Sequence, residues 1–132
     1  MLNRDQALEI VQKAYQARVD GDKDALAKYW APNANFKING DQSLMEHVPL
    51  SASEPMIAIS ALIDRFRFSD LERLTEVVEG RNLAILWAVT ITVEDKEPVR
   101  TQLFDLMTLD EDGKIASFVQ FGDTALIRHL AT

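Results

Sequence analysis

Asp105 is the residue of this sequence whose type and position point most clearly to chemistry. It lies in an alternating segment, and the residues that share its face are Leu103, Met107 and Leu109. A carboxyl group among apolar side chains is partly desolvated, and burial without a cationic partner raises its pKa. We therefore predict that Asp105 transfers a proton or stabilises an oxyanion. The alternative is a solvated aspartate at a bulge, or one paired with Arg67 or Arg73.

Tyr15 is the second candidate catalytic residue, and it lies on the apolar stripe of the first predicted helix. Its hydroxyl either enters a cavity beside Asp105 or, as for many tyrosines on such stripes, only reaches the surface from the core. We expect a hydrophobic ligand site, because aromatic and methionine side chains suit such ligands. Its predicted lining residues are Trp30, Phe36, Trp87, Met107 and Phe118. The same side chains would also fill a core.

Gln120 is a candidate hydrogen-bond partner inside the same cavity. Its orientation depends on the register of the last strand, because a shift by one residue turns every side chain to the opposite face. Glu76 has the same ambiguity in an earlier strand. Both orientations of Gln120 remain open from the sequence.

Several other kinds of chemistry are excluded or lack support. The absence of cysteine excludes thiolate catalysis, disulfides and cysteine-ligated zinc. The two histidines, His47 in a loop and His129 near the end, do not form a metal-binding spacing with acidic residues. There is no glycine-rich phosphate loop and no evident Ser/His/Asp order. We therefore expect no metal and no cofactor.

The charge and hydropathy of the chain limit its partners. A net charge of −7 argues against nucleic acid as a partner, because phosphate binding needs a basic surface. No apolar run approaches the ~20 residues of a membrane span, and residues 1–5 lack an apolar signal core. We expect a cytoplasmic protein.

Helical periodicity dominates the first half of the chain. Leu8, Val11, Tyr15 and Val19 predict a helix over Asp5–Val19, capped by Asn3 or Asp5 and ended by Gly21. A second short helix is predicted to begin at Asp22 or Asp24, to carry Ala25, Leu26, Tyr29 and Trp30, and to end at Pro32. A third is predicted after Pro55, with Met56, Ile59, Leu62, Ile63 and Phe66 on its buried face.

Strands dominate the second half. Residues 35–39 predict a short first strand with Phe36 and Ile38 on one face, followed by an irregular loop over residues 40–53. The later predicted strands are Leu71–Glu79, Leu83–Glu94, Val99–Leu109 and Ile115–Phe121, and Thr124–Leu130 predicts a final helix. This order predicts one α+β domain over residues 1–132, in which a curved, cone-shaped antiparallel sheet wraps around the N-terminal helices.

Neither face of the predicted sheet is strongly charged. From Ile85 to Val93 the odd positions are all apolar, while the even ones hold Leu, Ala and Thr. Phe104 and Leu106 occupy the face of the next strand opposite Asp105. A sheet without a charged face is usually covered on both sides, so we expect a homodimer through the outer face.

Four sequence blocks resemble the nuclear transport factor 2-like superfamily, in particular its ketosteroid isomerase-related and polyketide cyclase (SnoaL-like) branch. They are Gly21-Asp22-Lys23-Asp24-Ala25-Leu26, Trp30-Ala31-Pro32-Asn33-Ala34, Phe104 through Ile115, and Phe121-Gly122-Asp123-Thr124-Ala125-Leu126. Their order and spacing extend over most of the chain. The resemblance implies a cone-shaped fold with a small-molecule pocket.

The resemblance also implies roles for particular positions. Asp105 corresponds to the oxyanion-hole aspartic acid of ketosteroid isomerases, whereas their tyrosine falls on Ala14 and their base on Ile38. In limonene epoxide hydrolase the catalytic arginine and second acid fall on Leu103 and Gln120. Neither catalytic set is therefore complete in this chain.

Two functions remain open from the sequence. The first is cofactor-free acid–base isomerisation, cyclisation or dehydration of a hydrophobic carbonyl or phenolic compound, with Asp105 and Tyr15 as catalytic residues. The alternative is a non-catalytic ligand-binding or dimerisation domain on the same fold.

Overall fold

The computed structural model describes residues 2–46, 48, 51–52 and 54–132. Within these residues the chain forms four α-helices and six strands, of which one has only two residues. The helices are α1 (Arg4–Asp20), α2 (Lys23–Ala27), α3 (Pro55–Arg65) and α4 (Thr124–Ala131). The strands are β1 (Trp30–Ile38), β2 (Ser51–Ala52), β3 (Arg67–Glu79), β4 (Asn82–Thr92), β5 (Val99–Leu109) and β6 (Ile115–Gly122). The predicted α+β class is confirmed.

Both ends of α1 follow from local side-chain chemistry. Asn3 and Gln6 form a reciprocal capping box, in which each side chain accepts a hydrogen bond from the other residue's backbone N–H. Gly21 ends the helix with φ 69°, a left-handed conformation that glycine adopts without a Cβ penalty. The predicted limits of this helix are therefore confirmed to within one residue.

The six strands form one open, curved sheet in the order β2-β1-β6-β5-β4-β3. Strands β3 to β6 form the predicted antiparallel meander. Strand β1 then pairs with β6 in parallel, and Phe36 lies opposite Phe118. This parallel pairing was not predicted, because a short strand near the start of a chain does not reveal which distant strand it will join.

The prediction that Trp30 belongs to the second helix is wrong. Helix α2 ends at Ala27, and Trp30 is the first residue of β1, which also contains Pro32. The register between β1 and β6 shifts between Trp30 and Asn35. Proline is tolerated in such an irregular stretch because it has no N–H to donate to the ladder.

Two further boundaries differ from the prediction. Strand β3 begins at Arg67 rather than Leu71, and its register with β4 shifts between Ser69 and Glu72, where Asp70 has a φ of 49°. This bulge interrupts the alternation of side chains, so the sequence pattern did not predict the first part of the strand. Within the predicted loop over residues 40–53, Gln42–Glu46 form a 3-10 helix and residues 51–52 form β2.

The inner face of the sheet packs against the helices and forms the core with them. The predicted apolar face of β4 is confirmed, since its odd positions from Ile85 to Ile91 are all buried, as is Val93 just beyond the strand. On β5 the inward face holds Asp105 among buried apolar residues, and the carboxyl is fully buried. No helix in the described part of the chain is long and apolar enough to cross a membrane.

Candidate functional site

A cavity lies between α1, α3 and the inner face of the sheet. The volume of the cavity is about 90 Å³. One water occupies roughly 10–15 Å³ of such a volume, so the cavity has room for several waters or a small organic molecule. Among the described residues, the side chains that line this cavity therefore leave space between them.

Aromatic side chains form one wall of this cavity. The rings of Phe36 and Phe118 stack at 5.6 Å between centroids, and Trp30 packs edge-on against both, at 5.9 and 5.4 Å. The three rings come together because β1 and β6 are neighbours with Phe36 directly opposite Phe118. Trp30 Nε1 is buried and has no acceptor among the described residues. Such an unmatched donor costs about 1–3 kcal/mol.

A buried polar cluster lies at one side of the cavity, around the carboxyl group of Asp105. Tyr15 donates a hydrogen bond from its hydroxyl to Asp105 Oδ2, and Trp87 Nε1 donates to the same oxygen at 3.0 Å. Gln120 Nε2 donates to Asp105 Oδ1 at 3.1 Å and to the Tyr15 hydroxyl oxygen at 3.2 Å. Both carboxyl oxygens thus accept from neutral donors, and none of the described arginines forms an ion pair with Asp105.

Three secondary-structure elements of the sheet and one helix bring these four residues together. Asp105 lies opposite Gln120 in the β5–β6 register and opposite Ile85 in the β4–β5 register. Trp87 is two residues beyond Ile85 on the same face of β4. Tyr15 reaches the cluster from α1, and its ring lies 4.2 Å from that of Trp87 between centroids. The register question about Gln120 is therefore answered: its side chain points inward.

The electrostatics of the cluster place the titration of Asp105 near neutral pH. Burial raises the pKa of Asp105 to about 7, although the hydrogen bonds from Tyr15, Gln120 and Trp87 act in the opposite direction. Burial, together with the neighbouring charge of Asp105, raises the pKa of Tyr15 well above its ordinary value. At neutral pH the carboxyl group therefore exchanges between its charged and neutral forms, while the tyrosine keeps its proton.

The cluster has two layers relative to the cavity. Tyr15 and Gln120 line the cavity, as do the predicted lining residues Trp30, Phe36, Met107 and Phe118. Asp105 and Trp87 lie behind this wall and are fully buried. The placement of Trp87 among the lining residues is thus incorrect, because Tyr15 from α1 covers its ring.

Arg18 is a charged residue of the cavity wall that sequence reasoning missed. It lies one helical turn beyond Tyr15, and its Nη2 donates to the carbonyl oxygens of Phe66 at 2.7 Å and Leu62 at 3.4 Å. Burial lowers the pKa of Arg18 to about 10, so it remains charged at neutral pH. The only sequence signal was its i+3 spacing from Tyr15, which places both on adjoining parts of one helix surface.

His129, one of the two histidines, is not among the described residues that line the cavity. His129 is exposed on α4, where its carbonyl oxygen accepts a hydrogen bond from Lys96. His47 lies outside the described residues. Within the part of the chain that the structure describes, no group of three His, Cys, Asp or Glu side chains could hold a metal ion.

Ala14 and Ile38, the positions at which the resemblance places the tyrosine and the base of ketosteroid isomerases, both line the cavity with apolar side chains. Tyr15, the next residue along α1, provides the hydroxyl instead. Among the described lining residues, no carboxylate occupies the opposite wall. The acidic groups beside the described cavity wall, Tyr15 and Asp105, therefore form one cluster, in which Gln120 is a hydrogen-bond donor to both.

Solved structures with this fold are numerous. An NTF2-like protein from Burkholderia xenovorans has a TM-score of 0.77 and 18% identity, with all of both chains covered. An LEH-like epoxide hydrolase from M. tuberculosis has a TM-score of 0.73 and 11% identity, over 95% of this chain and 88% of its own. TerC, co-crystallised with polyporic acid, has a TM-score of 0.76 and 11% identity, over 95% and 97%. At these identities the likeness shows the fold alone.

Sequence comparison supplies the family. None of the curated protein sequences matches this chain. The sequence model of the SnoaL-like domain matches residues 11–118, a range that includes Tyr15, Arg18 and Asp105 and most of the cavity wall. The predicted resemblance is confirmed, and the chain belongs to the SnoaL-like domain family, with an NTF2-like fold.

Proposed function

We propose that the cavity binds a small hydrophobic molecule with a carbonyl or phenolic oxygen and that the Tyr15–Asp105–Gln120 cluster exchanges a proton with it. The reaction would be a cofactor-free isomerisation, cyclisation or dehydration. The observation that carries this proposal is the position of Tyr15, which lines the cavity and whose hydroxyl donates to a fully buried carboxyl group.

The two protonation states of Asp105 would give Tyr15 two roles. When Asp105 is ionised, its Oδ2 accepts the hydrogen bond of the Tyr15 hydroxyl and can take up that proton while the Tyr15 oxygen accepts a proton from the ligand. When Asp105 is protonated, the carboxyl O–H can donate to the Tyr15 oxygen, and the hydroxyl of Tyr15 is then released to donate to a ligand oxygen. Because the pKa of Asp105 is about 7, both states are populated at neutral pH. Asp105 would act through Tyr15 rather than touch the ligand.

A direct test is the exchange of α-hydrogens for deuterium in 2-tetralone, followed by NMR in D₂O. This ketone is apolar, and its exchange measures proton transfer whatever the natural substrate is. The wild type should accelerate exchange, and Asp105→Asn should lower that acceleration by about 10²-fold or more. Asp64→Asn is the matched control, because Asp64 lies on the surface with its side chain 68% exposed. Equal rates in the wild type and Asp105→Asn would refute proton transfer by this cluster.

Binding can be measured independently with 2-naphthol. At 100 times its dissociation constant, a ligand should raise the free energy of unfolding by about 2.7 kcal/mol. Tyr15→Phe should weaken 2-naphthol binding by up to about tenfold and leave naphthalene binding unchanged, because only the phenol can use the hydroxyl. If naphthol and naphthalene respond equally to the substitution, Tyr15 does not contact the ligand oxygen.

The second candidate function is non-catalytic ligand binding. It is favoured by the missing second acid or base on the described cavity wall and by the position of Asp105 behind that wall. It predicts that 2-naphthol binds with a contribution from Tyr15, while deuterium exchange in 2-tetralone stays at the rate of the buffer.

A homodimer through the outer face of the sheet is part of the same proposal. Two apolar rows cross that face according to the strand register, namely Val77-Ala84-Leu106-Val119 and Leu86-Phe104-Phe121. Val77, Leu106, Phe104 and Phe121 are 68%, 45%, 38% and 38% exposed. Contiguous apolar patches of this kind are uncommon on monomers, and a second copy of the chain would cover them.

A location in the cytoplasm stays a prediction.

A further inference from the structure

Arg18 brings a positive charge to a cavity whose other described lining residues, apart from Tyr15 and Gln120, are apolar. It lies in the last turn of α1, three residues after Tyr15, and both residues line the same cavity. Residues at this spacing have Cβ atoms about 5–6 Å apart. Arg18 and Tyr15 are therefore the two polar residues that α1 contributes to the wall of this cavity.

The contacts of Arg18 leave its charge without a counter-ion. Its guanidinium carbon lies 3.8 Å from the centroid of the Phe68 ring, and its Nη2 donates to the two carbonyl oxygens of Leu62 and Phe66. Among the described residues, no carboxylate lies within 4.0 Å of Arg18, and Nη1 and Nε have no acceptor. Arg18 is half-buried, so its charge is partly withdrawn from water and an anion in the cavity could pair with it.

The chemistry of arginine indicates which group would complete the site. Its planar guanidinium presents five N–H donors in a fork that matches the two oxygens of a carboxylate. Phe68 and the carbonyl groups at the end of α3 hold this fork in place, so little side-chain entropy remains to be lost on binding. The overall charge of −7 means that an anion would be attracted here by the local guanidinium and not by the general field of the protein.

We propose that the cavity selects a hydrophobic carboxylic acid, with its carboxylate bound by Arg18 and its carbonyl or phenolic oxygen facing Tyr15. This inference rests on the proposed function, to which it adds the substrate class. The short spacing on α1 favours a scaffold of one or two rings between the two polar groups.

The opposing explanation is purely structural. Arg18 already contacts carbonyl oxygens at the C-terminal end of α3, and a cation there stabilises the last turn of that helix. A structural cap would affect folding stability but would not distinguish charged from neutral ligands. A preference between matched ligands is therefore the decisive measurement.

The test uses three probes with the wild-type protein: 6-hydroxy-2-naphthoate, its neutral carboxamide and 2-naphthol. Calorimetry gives the affinities, and the NMR signal of the Arg18 Nε–H reports contact with the carboxylate. We expect the carboxylate to bind about tenfold or more tightly than the carboxamide, because a hydrogen bond to a charged group exceeds one to a neutral group. Arg18→Met should abolish this preference and change the carboxamide affinity by no more than about threefold.

Arg18→Lys keeps the positive charge without the planar fork, so it should retain a smaller preference for the carboxylate. The wild-type ratio between the two probes decides the question even if Arg18→Met fails to fold. Equal affinities, or tighter binding of the carboxamide, overturn the inference. If that result occurs while 2-naphthol still binds in a Tyr15-dependent manner, the proposed function survives. If 2-naphthol does not bind either, both proposals fail.

Discussion

The two faces of β5 depart from the usual pattern of a half-buried strand in opposite ways. The inward face contains Asp105, a fully buried carboxyl group, while the outward face contains Phe104 and Leu106, which are 38% and 45% exposed. Buried polar groups and exposed apolar patches are both more informative than the ordinary arrangement. The comparison teaches that one strand can serve two surfaces. The buried Asp105 of its inner face belongs to the polar cluster of the cavity. The exposed Phe104 and Leu106 of its outer face belong to the candidate interface.

The largest expected effect is on the pH dependence of folding stability, through Asp105 on the inner face. The pKa of Asp105 is about 7 in the folded protein, above its ordinary value of 3.8, so the folded state binds more protons between these values. Stability should therefore fall as pH rises from about 4 to 7, by roughly 4 kcal/mol for this group alone, and level off above pH 7. Asp105→Asn should remove this contribution, as measured by chemical denaturation between pH 4 and 8.

The control for this experiment is Asp64→Asn, which changes an exposed carboxylate that pairs with Lys23 at 2.7 Å. This variant leaves Asp105 in place, so it should still lose stability as the pH rises from about 4 to 7. An Asp105→Asn protein with the same slope as the wild type would mean that Asp105 is ionised throughout this range. The inference that Asp105 exchanges between its charged and neutral forms near pH 7 would then be wrong.

The second prediction compares the same substitution on the two faces of one strand. Leu103→Ala removes a buried side chain of the inner face and should cost about 2–5 kcal/mol. Leu106→Ala on the outer face should cost about 0.5 kcal/mol or less in the monomer. Denaturation at two protein concentrations sharpens the comparison, because only the Leu106 effect should depend on concentration if this face is an interface. Equal costs at every concentration would contradict the assignment of the two faces.

The smallest expected effect on folding comes from a charge on the outer face. Leu106→Lys should convert a dimer into a monomer, detected by light scattering after size-exclusion chromatography, with little change in monomer stability. Ile57→Lys is a matched control, since Ile57 is also apolar and is 64% exposed, but it lies on α3, away from the outer face of the sheet. A wild-type chain that is monomeric at all accessible concentrations would remove the interface from the proposal.

Much of the fold could be predicted from the sequence because its signals are local. The period-two alternation of β4 and β5 predicted both faces correctly, and Gly21 predicted the end of α1. The errors occurred where local signals conflict with pairing. Trp30 and Pro32 lie in an irregular strand joined to a distant partner, and the bulge near Asp70 interrupts the alternation of β3.

The candidate site was predictable only in part, because its members come from distant segments. Asp105 was noticeable within its own strand as a charge on an apolar face. Gln120 was ambiguous, since its orientation depends on the β5–β6 register. Arg18 gave almost no signal, because a basic residue in the last turn of a helix is normally explained by the helix dipole and solvent.

What the sequence by itself determined is the family, the order of the elements, and the unusual inward position of Asp105. Only the tertiary structure decided that Tyr15, 90 residues away, donates to Asp105, that Trp87 lies behind the cavity wall, and that Arg18 lines it. The physical reason is the range of the interactions. Periodicity records which side of an element is apolar, whereas the pairing of α1 with the sheet follows from packing energies summed over the whole core.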